Sequence, residues 1–445
     1  MDRDPPPPTG SVPRPSRGLL TVLRDHTFRS LKHRNYRLYF AGQIVSYTGT
    51  WMQNAALMWL VYDETADPIW PPLLLVAQVG PTVVLGAWGG VLADRLPKRQ
   101  LVIATQSAFL CTAVLMTMLV AANRIEPWVL FAVQVVNGLV QSVDLPARLA
   151  FVPDLVPRPD LINAVSLNSM VFNSARAIGP ALSGLLFLLA GAVIDAGWLP
   201  GSQPVTLGAV WCFALNSFSY AAVLAALHAI TVSGERRGPP LPSEGPLSGF
   251  RYVRTRPRVA GLLAATGLLC VFGWPVISLF PTYTRMALGA AEKEYSVLVS
   301  SIGAGALVAA LTNATFGTVG RRGFFLLAGA SVTTAGLLAL AVAQSLGEAV
   351  LSAGCLGFGL ILFLSTGQSA IQLSVTDETR GRVMALWAMT LSASAPVGHL
   401  LAGAAATEWP VRWVLAGMAV GAGLVVAGAL LLAGRSWKRD QTGQR

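Results

Sequence analysis

The strongest constraint on this chain is a series of long apolar blocks that carry no charge. Residues 101–122, 324–343 and 413–433 contain no Asp, Glu, Lys or Arg. Each block is roughly as long as a helix that crosses ~30 Å of hydrocarbon. Lipid offers backbone N–H and C=O groups no partners, so such blocks must close their own hydrogen bonds as helices. Twelve spans are expected, at 38–62, 70–93, 100–122, 127–147, 161–190, 205–230, 259–284, 295–316, 324–344, 349–371, 383–407 and 411–433. The fold class is therefore an all-α membrane protein.

The charges lie between these blocks. With both termini inside, the cytoplasmic segments hold 27 Lys and Arg residues and the external ones hold 4, namely Arg124, Arg285, Lys293 and Arg412. Arg176 falls within a span. This bias predicts a multi-pass inner-membrane protein with cytoplasmic termini. The net charge of +11 thus reflects topology, and no nucleic-acid partner is expected. The four cysteines sit inside apolar blocks, where core packing is their expected role. Residues 1–37 are polar, Pro-rich and basic, without the apolar core of a secretory signal.

The chain divides into a cytoplasmic tail (1–35), a six-helix half (36–230), a linker (231–257), a second six-helix half (258–433) and a closing tail (434–445). An offset of 223 carries Trp51 onto Trp274, Lys98-Arg99 onto Arg321-Arg322, and Val152 and Asp154 onto Val375 and Asp377. These matches fall at equivalent places in the halves. A repeated six-helix unit is the architecture of transporters that rock about a central site.

Polar residues recur at helical spacing within several spans. The first carries Gln43, Tyr47, Thr50 and Asn54, and the fourth carries Gln134, Asn137, Gln141 and Asp144. The fifth carries Ser166, Ser169, Asn173 and Arg176, and the tenth carries Ser365, Gln368 and Gln372. Spacings of three and four put each set on one helix face. Lipid rejects such a face, so each turns inward, either to contact a substrate or to join helices through amides. Trp51 and Trp274 offer flat surfaces for stacking on a ligand, or for packing. Arg176 is the most demanding residue, because a charge at a helix centre costs about 2.5–3.5 kcal/mol on insertion scales. It either meets an anionic or carbonyl-bearing substrate, forms a gating pair, or bonds backbone carbonyls.

The segment GVLADRLPKR at 90–99 resembles the loop signature of the major facilitator superfamily. Gly90, Asp94, Arg95, Lys98 and Arg99 match, while Pro97 stands where Gly is frequent. The second copy, GTVGRRG at 317–323, keeps the basic pair but has Gly317 in place of Asp. RAIGPALSG at 176–184 is similar to the Gly-Pro signature of the antiporter branch, through Gly179, Pro180 and Gly184. FRSLKHRNYRLYFAGQ near the start, DLPARLAFVPDLV at 144–156 and DETRGRVMAL at 377–386 extend the likeness. They resemble the subgroup of enterobactin exporter, macrolide efflux and transmembrane secretion effector proteins.

The resemblance implies a major facilitator fold and a secondary transporter, a proton-coupled exporter of amphipathic small molecules such as drugs, siderophores or secondary metabolites. An importer of a polar nutrient is the alternative, and a non-transporting sensor a remote one. It implies a conformational latch in which Asp94 engages the start of the eleventh helix and a basic residue ending the fourth, for which Arg148 is the candidate. It also implies a bend at Gly179-Pro180 that seals the outer side. Asp144 and His399 are the candidates for carrying the proton. No phosphate-binding loop is present, and the four histidines are too scattered to set up a metal or catalytic cluster. No enzyme activity, cofactor or metal is expected, and the bilayer, a small-molecule substrate and a proton are the expected partners of a monomer.

Overall fold

The computed structural model describes residues 28–199, 203–231, 253–316, 322–375 and 377–442. Twelve long helices account for nearly all of them. They are α1 (Arg34–Thr65), α2 (Trp70–Arg95), α3 (Lys98–Ala121), α4 (Pro127–Phe151), α5 (Leu161–Asp195) and α6 (Pro204–Ala229). There follow α7 (Pro257–Ala287), α8 (Glu292–Phe316), α9 (Arg322–Val342), α10 (Leu346–Ser374), α11 (Asp377–Glu408) and α12 (Val411–Thr442). No strand occurs among the described residues. The linker lies almost wholly outside them, as do residues 1–27 of the N-terminal tail. Helix α12 continues as helix through Thr442, past the end expected at residue 433.

Ten of the twelve helices are long and apolar enough to cross a membrane, and α2 joins them when its two pieces are taken as one bent span. The remaining helix, α1, reads as less apolar because Gln43, Ser46, Thr48, Thr50, Gln53 and Asn54 interrupt it. Buried helix contacts absorb much of that polarity.

Local signals set the helix ends. Pro opens α4, α6 and α7, where the first N–H needs no intrahelical partner. Helix α10 starts with a capping box, in which Ser345 Oγ accepts from Glu348 N and Glu348 Oε2 accepts from Gln344 N. Helix α7 breaks at Trp274-Pro275, resumes at Val276–Thr282 and ends in a π turn at Tyr283–Ala287. Pro275 has no N–H to continue the ladder.

The packing repeats. In the first half α1 meets α5 and α6, α2 meets α4, and α3 meets α4 and α6. In the second, α7 meets α11 and α12, α8 meets α10, and α9 meets α10 and α12. The halves join through two equivalent seams, α5 on α8 and α2 on α11.

The apolar core is asymmetric between the two ends of the bundle. One cluster runs the length of the second half, from Val253, Val375 and Val383 to Phe280 and Leu298, and crosses into the first half towards the end that carries the α1–α2 and α7–α8 loops, where it takes in Met52, Leu57, Leu74, Phe187 and Phe213. Towards the end where α1 begins and α6 ends, the first half has its own separate cluster, from Tyr36, Phe40 and Val102 to Phe151, Leu167 and Leu227.

Candidate functional site

The interface between the halves is the candidate site, and its chemistry begins at Arg176. This residue sits mid-way along α5 and is only 5% exposed. Its guanidinium lies 5.5 Å from the Trp51 ring centroid on α1 and 4.5 Å from that of Trp274, where α7 breaks. The two indoles occupy the positions related by the internal offset, one from each half. A cation over an indole gains about 0.5–2 kcal/mol. None of its N–H groups has a hydrogen-bond acceptor among the described residues, and Nε is fully buried.

A second buried cluster ties α4 to α1 and α3. Asp144 is fully buried and pairs with Arg148 one turn along. Its Oδ1 accepts from Thr105 Oγ1 at 2.6 Å and from Gln106 Nε2 at 2.9 Å, and its Oδ2 accepts from Arg148 Nε at 2.6 Å. Arg148 Nη1 donates to Gln43 Oε1 at 2.8 Å, and the guanidinium stands over the Tyr47 ring at 5.1 Å. The carboxylate and the guanidinium therefore neutralise each other and spend their hydrogen bonds inside the half.

The other stripe residues divide between helix joining and the interior. Gln134 accepts from Asn137 at 2.9 Å, and Asn137 accepts from Thr112 of α3 at 2.7 Å. Thr50 shares a 3.1 Å bond with Tyr220 OH of α6. Asn54 and Gln141 are half-buried and Gln368 is exposed, and their side chains make no hydrogen bond among the described residues. Ser166, Ser169 and Asn173 turn back onto carbonyls of α5 itself.

His399 on α11 is buried against α7, with Nδ1 2.8 Å from Ser278 Oγ. Ser278 donates its own hydrogen to the Pro275 carbonyl at 2.8 Å. With that hydrogen on the Pro275 carbonyl, Oγ accepts from Nδ1–H, and the neutral ring then carries its lone pair on Nε2.

Glycines build the seams. A Cβ on Gly184 would lie 2.6 Å from Ser296 Cβ of α8, whereas one on Gly179 would lie 2.6 Å from Trp51 Cβ of α1, inside the first half. Gly303 of α8 leaves 2.5 Å to the Ala177 backbone. Ser183 and Ser296 face each other across the same seam at 3.3 Å. Gly403 of α11 packs on Pro72 of α2. Beyond them an ion pair joins Asp63, at the end of α1, to Arg285 in the π turn of α7. Trp59 lies 5.3 Å from both the Arg285 guanidinium and the Tyr295 ring.

The 90–99 signature lies at the opposite end of the bundle. Lys98 pairs with Asp154 at 3.3 Å. Arg99 donates to the Leu227 and His228 carbonyls and so caps the end of α6. Asp94 and Arg95 are exposed, and Asp94 has no partner among the described residues. Gly90 has no neighbour at its Cβ position. Arg148 is bonded to Asp144 rather than to Asp94. Residues 317–321 of the second copy and the side chains at 377, 378 and 380–382 lie outside the described residues.

Sequence reasoning missed several of these partners. Thr105 and Gln106 are polar residues in a charge-free block, which was a usable signal. Asp154 had already been flagged by the repeat. Asp63 and Arg285 carried no signal, since a charge at a span end looks like any loop residue.

The helix order, the repeated packing and the two equivalent seams define a major facilitator transporter. Solved structures agree on the fold. A nucleoside transporter, NupG, matches with a TM-score of 0.65 at 13% identity, over 88% of this chain and 98% of that one. A bacterial homologue of the human lysosomal transporter Spinster, in an inward-facing and occupied conformation, matches with a TM-score of 0.68 at 15% identity, over 92% and 98%. The transmembrane secretion effector family model matches residues 25–444, and the chain belongs to that family. The enterobactin exporter EntS of Shigella boydii is 26% identical over 408 residues, 90% of this chain and 91% of that protein. The staphyloferrin A transporter of Staphylococcus aureus is 28% identical over 151 residues, 34% of this chain and 38% of that protein. The chain is thus a multi-pass membrane transporter and not an enzyme.

Proposed function

We propose that this transporter exports amphipathic small molecules, such as drugs, siderophores or secondary metabolites, across the cytoplasmic membrane at the expense of a proton gradient. Both termini are cytoplasmic in this reading, and the halves 36–230 and 258–433 move as units joined by the 231–257 linker. The observation that carries the proposal is the one-sided closure. A shared core, glycine seams and the Asp63–Arg285 pair join the halves at one end, while the first half keeps a separate core at the other. Such a bundle is poised to load from the cytoplasm and to release outward once the closed end parts. The exposed Asp94 is then a latch residue waiting for the alternate state. Full-length likeness to a protein named as an exporter supports the direction.

His399 fits the proton-carrying role better than Asp144. Its Nε2 lone pair is available, whereas the Asp144 carboxylate is saturated by Arg148, Thr105 and Gln106. Efflux of a panel of dyes and antibiotics from cells lacking their major pumps tests the proposal. Expression-dependent efflux that collapses on adding a protonophore is the expected result. Net uptake, or efflux indifferent to the protonophore, refutes it.

A further inference from the structure

Among the described residues the half-buried arginines, of which Arg322 leaves its Nε without a partner, contrast with Arg176, which is buried. Arg99 and Arg412 spend their guanidinium groups on fixed carbonyls: Leu227 and His228 for the first, Ala287, Ala341 and Ala343 for the second. Arg148 is spent on Asp144 and Gln43. Each of these three is a structural cation whose acceptors belong to the chain itself. Arg176 differs from them. It is more than nine-tenths buried and has no carboxylate or carbonyl among the described residues. Two indole faces lie against its guanidinium.

An arginine cannot escape such a site by giving up its proton. The indole faces soften the charge but satisfy none of its five N–H donors, and a buried unpaired charge is costly. The charge balance of the spans sharpens the point. Asp144 and Arg148 cancel, and Asp63 is held by Arg285 at the bundle end. Arg176 is thus left as an uncompensated positive charge where the halves meet.

We infer that Arg176, Trp51 and Trp274 form the binding site for an anionic group on the transported molecule, and that the cargo is a planar or aromatic carboxylate or sulfonate. The guanidinium supplies a planar fork that matches such a group with two parallel hydrogen bonds. The flanking indoles supply flat apolar walls for the rest of the molecule. One wall belongs to each half, so cargo bound here touches both and is positioned to report occupancy to the rocking motion. The identity of the bound molecule as cargo rests on the exporter reading; the anion site itself does not.

Binding to the purified full-length protein in lipid nanodiscs separates the two. The probes are naphthoate with its neutral twin naphthamide, and anilinonaphthalenesulfonate with its neutral twin phenylnaphthylamine. A gluconate buffer keeps chloride from filling the site. The wild type is expected to prefer at least one anion over its neutral twin by about tenfold or more, the scale of a charge-assisted hydrogen bond. Arg176→Gln is expected to bring that ratio to about one, and Arg176→Lys to keep part of it. Equal binding of both twins by the wild type overturns the inference, whether or not any variant folds. So does an undiminished preference in Arg176→Gln. Protonophore-sensitive efflux confined to neutral or cationic compounds would also overturn it while leaving the exporter standing. Anion-selective binding without transport would do the reverse.

Discussion

Asp144 and Arg148 illustrate how a charge can be carried inside a membrane helix with its counter-charge one turn away. Breaking a buried pair from one side strands the other charge, at a cost of about 3–5 kcal/mol. Asp144→Ala alone should therefore lower the thermal unfolding temperature of the purified protein sharply. Asp144→Ala with Arg148→Ala should recover much of the loss, and a double-mutant cycle measures the coupling; additive effects would contradict the pairing. Asp94 behaves differently because it is exposed and has no partner among the described residues. Asp94→Asn should leave membrane insertion and unfolding temperature unchanged and reduce efflux, and normal efflux would remove the latch. His399→Gln should abolish accumulation driven by a pH gradient while leaving cargo exchange across the membrane, and unaltered gradient-driven accumulation would exclude it as carrier. At this scale the sequence identified the charged residues inside spans but not their partners. Spacing along one helix gives a face, and a face does not say which neighbouring helix will meet it. Gln134 and Asn137 look like cavity residues by period; Asn137 is spent on Gln134 Oε1 and Thr112, while Gln134 Nε2 is buried without a partner among the described residues.

The α5–α8 seam is the element on which the proposed motion turns. Its residues are small because two helix backbones must nearly touch, which glycine allows. Gly303→Val would place methyl groups where Ala177 already stands. It should hold α5 and α8 apart, expose a cysteine introduced as Ser296→Cys to thiol reagents and stop efflux. A variant with wild-type rates would show that the seam does not gate. Ser183 and Ser296 give the complementary test, their hydroxyls being 3.3 Å apart. With the four native cysteines replaced, Ser183→Cys and Ser296→Cys should cross-link under mild oxidation, halt transport, and regain it on reduction. Continued transport by the cross-linked protein would mean that this end does not need to open. The Gly-Pro pattern was readable in the chain, and its resemblance implied a sealing bend. That the seam also needs Gly303 and Ser296 of the other half was not readable, since nothing in α5 encodes what it packs against.

The twelve-helix order was legible almost throughout, because the bilayer imposes one length and one polarity rule on every span. Its weakest spans by sequence were the fifth, which holds Arg176, and the eleventh, rich in Ala and Ser; both are long and apolar enough to cross a membrane, and it is α1 whose polar residues dilute the apolar signal. The break in α7 escaped the span reading, although Trp274-Pro275 marks it, because a window that averages apolarity passes over a single missing N–H. The unequal distribution of the apolar core has a further consequence for genetics. Substitutions within the cluster that belongs to the first half alone, such as Phe151 or Leu167, should change how much protein survives quality control and leave the turnover of each surviving molecule intact. Substitutions in the cluster shared by both halves, such as Phe280 or Leu298, should alter abundance and turnover together. Two classes of loss-of-function allele are thereby separable by their dose dependence: raising expression rescues the first class and not the second.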